Sequence, residues 1–219
     1  MRPGVESGYV PPLRFAALTR FYDGVLRATL REDRWRPRLL AQAGIAPGHR
    51  VLDAGCGTGA LALLVKAASP AAHVVGLDAD AQALGIARAK AERAGLAIEF
   101  RRGLLDEVAF EPESFDRVVS SLVFHHLRPE AKRRALVHLR EWLRPGGELH
   151  VADWGRAGGV WARAAFLGVQ LLDGFENTRD QVRAGLEPFM IGEGFRDVAE
   201  TDRVATMFGT LSLYKAIRP

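Results

Sequence analysis

Val51-Leu52-Asp53-Ala54-Gly55-Cys56-Gly57-Thr58-Gly59 reads as a short apolar strand, Arg50 to Ala54, running into a turn in which every second residue is glycine. A helical run follows at once, with Leu61, Leu64, Val65 and Ala68 at helical spacing. Glycine lets the backbone turn tightly and lets a ligand approach the peptide groups with no Cβ in the way. In an open α/β sheet such a turn lies at the carboxyl ends of the strands, where ligands bind. Nineteen residues beyond Gly59, Asp78 closes the next apolar run, His73 to Leu77. A carboxylate there can accept from both hydroxyls of a ribose, in charge-assisted hydrogen bonds worth roughly 1.5–3 kcal/mol. Turn and acid together specify a cofactor that contains a nucleoside.

The alternation continues outward from this unit. Asp80 is placed to cap a helix with Leu84, Ala87, Ala91 and Ala94 on one face, and Gly95 is placed to stop it. Strands are expected at Ala97 to Arg101 and Phe115 to Leu122. Pro129 then opens a helix carrying Ala135, Leu139 and Trp142, which Pro145-Gly146-Gly147 ends before a fifth strand, Glu148 to Trp154. Phe195 to Arg203 and Thr206 to Lys215 lack a helix between them and read as an antiparallel hairpin. Strands alternating with helices imply right-handed βαβ units. The expected fold is therefore α/β, a doubly wound, mostly parallel seven-stranded sheet ending in an antiparallel hairpin. Ahead of it, Leu13 to Arg38 reads as helical, so residues 1–44 are taken as a tail with lead-in helices and 45–219 as the main domain.

Composition sets the outer bounds. The 219 residues, 48% hydrophobic and 26% charged, fit one globular domain large enough to need no staple. One cysteine, Cys56, excludes a disulfide framework and a multi-cysteine metal site, and no metal is expected. With no membrane-length apolar run and no signal core at the start, a cytoplasmic protein is expected. Of the net charge of +4, residues 1–50 carry +5, with Arg31, Arg34, Arg36 and Arg38 close together. That cluster reads as a solvated helix face, or as a weak contact with an anionic membrane surface.

Gly55-x-Gly57-x-x-Ala60 also satisfies a loose dinucleotide pattern. Asp53, however, would repel a pyrophosphate and suits an ammonium, and Gly59 departs from the dinucleotide spacing. Here the chain resembles the class I S-adenosylmethionine-dependent methyltransferases, in a flavour similar to the ubiquinone/menaquinone-biosynthesis type acting on small molecules. VLDAGCGTG at 51–59, VVGLDAD at 74–80, FEPESFDRVVSSLVFHHL at 110–127 and LRPGGELHVAD at 143–153 carry the resemblance, in the expected order.

The resemblance implies a Rossmann-like methyltransferase fold with S-adenosyl-L-methionine as cofactor and S-adenosyl-L-homocysteine as product. It puts Asp53, Gly55, Cys56, Gly57 and Gly59 around the methionine portion, Asp78 on the ribose and Ala79 beside the adenine, with Ser120 near the methionine end. Family members often carry Gly-Asp where this chain has Gly103-Leu104, so Leu105 and Asp106 are taken as the neighbouring cofactor contacts. Tyr22 resembles a lead-in aromatic that closes over the cofactor, and reads equally as a core residue.

Methyl transfer from a sulfonium is an in-line displacement, so the enzyme must chiefly align the acceptor with the methyl group. A base helps where the acceptor must lose a proton. His125 and His126, just past the fourth strand, are the candidates; adjacent histidines are expected to point apart, so that one faces the site. Asp153 and Trp154, at the tip of the fifth strand, are candidate substrate contacts. Residues 156–192, with Val160, Trp161, Leu167, Leu171 and Phe175, are expected to form a helical lid over a small, partly hydrophobic acceptor. Cys56 lies inside the cofactor loop, which removes a cysteine-adduct mechanism, and no nucleic-acid module accompanies the basic charge. Nucleic acid is not expected as substrate. A phospholipid amine N-methyltransferase and a non-catalytic S-adenosylmethionine-binding protein are the alternatives, as a monomer or homodimer.

Overall fold

A computed structural model describes residues 30–155, 185–206 and 209–219. Tyr22 and residues 156–184 of the expected lid lie outside the described residues. Seven strands form one sheet in the order β3-β2-β1-β4-β5-β7-β6. They are β1 (Arg50–Ala54), β2 (His73–Asp78), β3 (Glu99–Arg102), β4 (Phe115–Ser121), β5 (Leu143–Trp154), β6 (Arg196–Thr206) and β7 (Gly209–Ile217). The first five run parallel, whereas β7 is antiparallel to both β5 and β6. Helices α1 (Glu32–Ala43), α2 (Ala60–Ala68), α3 (Ala81–Arg93), α4 (Pro129–Trp142) and α5 (Glu187–Gly192) complete the order.

Strand alternation divides the core into two layers. Val51, Val74, Val119, Ala152 and Leu211 face Trp35 and Leu39 of α1 and Leu61, Ala62 and Val65 of α2. Leu52, Val75, Val118, Val151 and Tyr214 face Leu136 and Leu139 of α4 and Phe189 and Met190 of α5. Helices on both faces make the sheet doubly wound, as expected. The strand order reverses between β1 and β4, and the crevice at that reversal is where an open α/β sheet binds its ligand.

Several boundaries differ from the sequence reading. Leu64 and Ala68 are exposed; the buried stripe of α2 is Leu61, Ala62 and Val65, because the helix needs only one narrow face against the sheet. Pro145-Gly146-Gly147 does not separate helix from strand. The chain is already extended at Leu143, and residues 144–147 form an irregularity in the β4–β5 pairing, where Gly146 N–H donates to Arg218 O. The lead-in helix extends past Arg38 to Ala43 and ends at Gly44 in the left-handed region.

The arginine cluster is largely engaged within the protein. Arg38 pairs with Asp202 at 2.8 Å, Arg31 donates to Ala205 O at 3.3 Å, and Arg36 pairs with Glu32 at 3.0 Å. Two of the four, Arg31 and Arg38, thus tie α1 to β6, while the Arg36–Glu32 pair lies within the helix. Among the described residues no helix is long and apolar enough to cross a membrane.

Candidate active site

The glycine turn is built against β2. Gly55 and Cys56 N–H both donate to Leu77 O, at 2.8 and 2.9 Å, and Gly59 N–H donates to Cys56 O at 2.8 Å. At Gly55, with φ at +75°, a Cβ would stand 2.3 Å from Val123 Cγ2, so the turn touches the loop after β4. At Gly57, with φ at +51°, a Cβ would meet nothing within 4 Å and would project into open space. The Cys56 side chain turns inward, close to Gly76, and burial pushes its thiol well above the usual range. Its contribution to the site is therefore its backbone.

These two glycines separate strain from collision. Gly57→Ala should lower stability by about 1–2 kcal/mol, the cost of a side chain in the left-handed region. Gly55→Ala adds a steric clash that moves Val123 and should cost roughly 2–5 kcal/mol in all. Urea unfolding of both variants measures the difference, and equal losses would count against the contact.

Two carboxylates flank the turn. Asp78 accepts from Gly57 N–H at 2.7 Å and from Asp80 N–H at 2.9 Å, which leaves each oxygen a second lone pair. Burial raises its pKa, partly offset by those two bonds. Asp53 is fully buried at the end of β1, and neither of its oxygens has a hydrogen-bond partner among the described residues. Burial pushes its pKa up to about 7 against the opposing pull of the Arg36 guanidinium and of the Ala62 N–H in the first turn of α2. Unsatisfied buried carboxyls are costly, so their persistence marks a ligand site. An ammonium on Asp53, a ribose on Asp78 and a backbone approach over Gly57 match the parts of S-adenosylmethionine. The residues present fit that group.

The remaining expected contacts divide. Ser120 is buried and donates to Ala54 O at 2.7 Å, stitching β4 to β1 beneath the turn. The Ala79 carbonyl accepts from Arg102 Nε at 3.2 Å beside the Asp78 end of β2. Leu105 has its side chain in the core, among Phe110 and Leu136, and its carbonyl bonds His138 Nδ1. Asp106 is paired with Arg134 at 2.7 Å. The acid expected to stand in for the missing one after Gly103 is thus held by α4.

Past β4 the chain makes a 3₁₀ turn over Phe124–His126, and here the structure corrects one expectation. The His125 and His126 rings do not diverge; their centroids lie 3.8 Å apart with planes tilted by 43°. His126 is forced neutral, its pKa pushed down to about 3 by burial and by the neighbouring His125. His125 is buried, with Nδ1 2.8 Å from Asp153 Oδ1. Asp153 also accepts from Val123, Phe124 and Trp154 N–H, and His125 together with these bonds holds it ionised despite complete burial. Rather than a substrate contact, Asp153 is the anchor of the whole turn. Ser121 lies opposite Ala152 in the β4–β5 register, so the two strand ends deliver these residues to one place.

Residues 51–147 match the methyltransferase domain family Methyltransf_25. The chain is 39% identical over 116 residues to a demethylmenaquinone methyltransferase of Thermus thermophilus, covering 53% of this chain and 52% of the relative. Over 100 residues it is 39% identical to a ubiquinone biosynthesis O-methyltransferase of Roseobacter denitrificans, covering 46% and 39%. It thus spans about half or less of these curated relatives. The S-adenosylmethionine-dependent methyltransferase SibL, in its apo form, superposes with a TM-score of 0.75 at 24% identity, over 94% of this chain and 60% of that one, and shows the shared fold. The matched domain, the curated relatives and the shared fold together support a class I S-adenosylmethionine-dependent methyltransferase.

Proposed function

We propose that this protein transfers a methyl group from S-adenosylmethionine to a small, partly hydrophobic acceptor. The observation that carries the cofactor half is Asp53, a buried carboxyl with both oxygens unsatisfied beside a glycine turn. When bound, the cofactor supplies an electrophilic methyl on a sulfonium. Asp53 takes its ammonium, Asp78 its ribose hydroxyls, and the Gly55–Gly59 backbone packs along its length. Ser120 and Ala79 shape the floor and the adenine side, and Cys56 contributes peptide atoms only.

Acceptor chemistry falls to the turn after β4. An ionised Asp153 can only accept a hydrogen bond, so the proton it shares with His125 sits on Nδ1. That bond orients the imidazole, which we assign to receive the acceptor's proton as the new bond to the methyl group forms and the sulfonium–methyl bond breaks. The apolar acceptor is supported by the family relatives, both named for quinone biosynthesis, and by the apolar residues of 156–192.

Titration calorimetry with S-adenosylhomocysteine tests the cofactor reading, with NADH as control and Asp78→Ala alongside. Micromolar binding that the variant weakens by roughly tenfold or more is expected. Binding of NADH in its place would overturn it. A panel of phenolic, quinol, amine and phospholipid acceptors then tests the second half; turnover confined to polar amino acids or nucleic acid would sink it.

A further inference from the structure

We infer that Gln42, His150 and Glu148 form an acid-sensitive latch that holds α1 on the sheet, engaged while His150 is neutral and released as it takes up a proton. The inference is independent of the cofactor reading and concerns a buried histidine that the transfer chemistry leaves unused.

His150 lies in β5, opposite Val119 of β4 and Lys215 of β7. Strand alternation puts it on the same face as Ala152, the face covered by α1, and it is completely buried. Gln42, in the last turn of α1, engages three strands. Its amide nitrogen lies 3.0 Å from His150 Nδ1 and donates to Tyr214 O at 3.0 Å, and its carbonyl oxygen accepts from the Thr201 hydroxyl at 2.5 Å. On the other side of the ring, His150 Nε2 lies 3.0 Å from Glu148 Oε2. Glu148 is paired in turn with Lys215 at 3.0 Å and with Arg117 at 3.8 Å.

The partners fix each proton of this network. A backbone carbonyl can only accept, so Tyr214 O rules out the flipped Gln42 amide, which would set oxygen against oxygen. Gln42 therefore offers an N–H to Nδ1, which must be bare, and the ring proton sits on Nε2 and is donated to the Glu148 carboxylate. A second ring proton has no place, because an Nδ1–H would point at the Gln42 N–H. Burial opposes that proton as well and lowers the pKa from an ordinary 6.5 to about 4. Of the charges facing the ring, Glu148 favours the proton, whereas Lys215 and Arg117 oppose it. Lifting α1 lets water reach the ring, and the freed imidazole returns towards its ordinary value. Opening therefore takes up a proton between about pH 6.5 and 4, so the docked helix loses stability as pH falls through that window. Asp202, the acid that ties α1 to β6, is held below its ordinary 3.8 by Arg38 and titrates beneath the window.

Two measurements on the full-length protein test the latch. Nitrogen chemical shifts of the His150 ring should report the Nε2–H tautomer at neutral pH. Hydrogen exchange, corrected for intrinsic rates, should show the protection of α1 amides falling by up to about tenfold per pH unit through the window, while β1 amides keep theirs. In His150→Asn the side-chain oxygen can still accept from Gln42 and gains no proton, so the slope should disappear. An Nδ1–H tautomer, a flat α1 profile in wild type, or equal loss in α1 and β1 overturns the latch. So does a slope that survives in the variant. Should the variant fail to fold, the wild-type tautomer and exchange profile decide alone.

Discussion

Replacing His125 with alanine should lower kcat/KM for methyl transfer by roughly 10²–10⁴-fold, the usual worth of a positioned base. S-adenosylhomocysteine binding should change little. The separation follows from where the residues stand: the imidazole belongs to the turn after β4, and the carboxylates assigned to the cofactor belong to β1 and β2. Asp153→Asn is the informative companion. Asparagine can still accept from the Val123 and Phe124 amides, so the turn should persist, but the charge that fixes the His125 tautomer is gone. Turnover should fall in this variant too, with binding of S-adenosylhomocysteine retained. His126→Ala should have a much smaller effect, since His126 is neutral and acts through its stacking on His125. If His125→Ala turned over as fast as wild type on an acceptor that must lose a proton, base catalysis by this histidine would be excluded.

Asp53→Asn should divide binding from stability in opposite directions. The carboxyl of Asp53 lies near pKa 7 in the folded protein, against 3.8 as its ordinary value. Below about pH 4 both the folded and unfolded chains hold the proton, and the group contributes nothing. Between pH 4 and 7 the unfolded chain releases it while the folded chain keeps it, so stability falls with rising pH, by up to roughly 4 kcal/mol at neutrality. Asparagine carries no charge at any pH. The ligand-free variant should therefore be more stable than wild type at pH 8, and the two should converge near pH 4, as urea melts will show. Binding runs the other way. An ammonium needs the ionised carboxylate, so wild-type affinity for S-adenosylhomocysteine should drop about tenfold per pH unit below 7 and level off above it. In the variant that slope should vanish and affinity should be low throughout. A pH-independent wild-type affinity would falsify the role given to Asp53.

The strand-to-helix alternation was readable because each βα unit carries its own punctuation. Asp80 caps α3 through Gln82 and Ala83 N–H, Pro129 opens α4, and the glycine turn separates β1 from α2, all local chemistry. The antiparallel hairpin was readable for the same reason, since no helix divides its two strands. What escaped was lateral. That Asp153 would hold His125 depends on the pairing register of β4 with β5, which no linear pattern displays; the neighbouring ends of successive strands were the one available hint. The rings of His125 and His126 followed a 3₁₀ turn that an expected loop did not suggest. Arg36 reads in the sequence as surface charge with three other arginines, whereas in the fold its side chain is nearly buried against Trp35 and paired with Glu32.

The binding of α1 to β6 bears on how this domain would behave if trimmed. The matched methyltransferase stretch, 51–147, stops inside β5 and omits α1, β6 and β7. A fragment with those limits would lose Trp35 and Leu39 from one layer, and Tyr214 and Phe189 from the other. It would also leave β4 as a raw edge, with the partners of Val119 and Ser120 removed, a template for pairing with other chains. Arg31 and Arg38 tie α1 to β6, so a fragment lacking either element loses these contacts. The matched stretch and the packed unit have different borders here. Expression and domain-swap experiments should take theirs from the second.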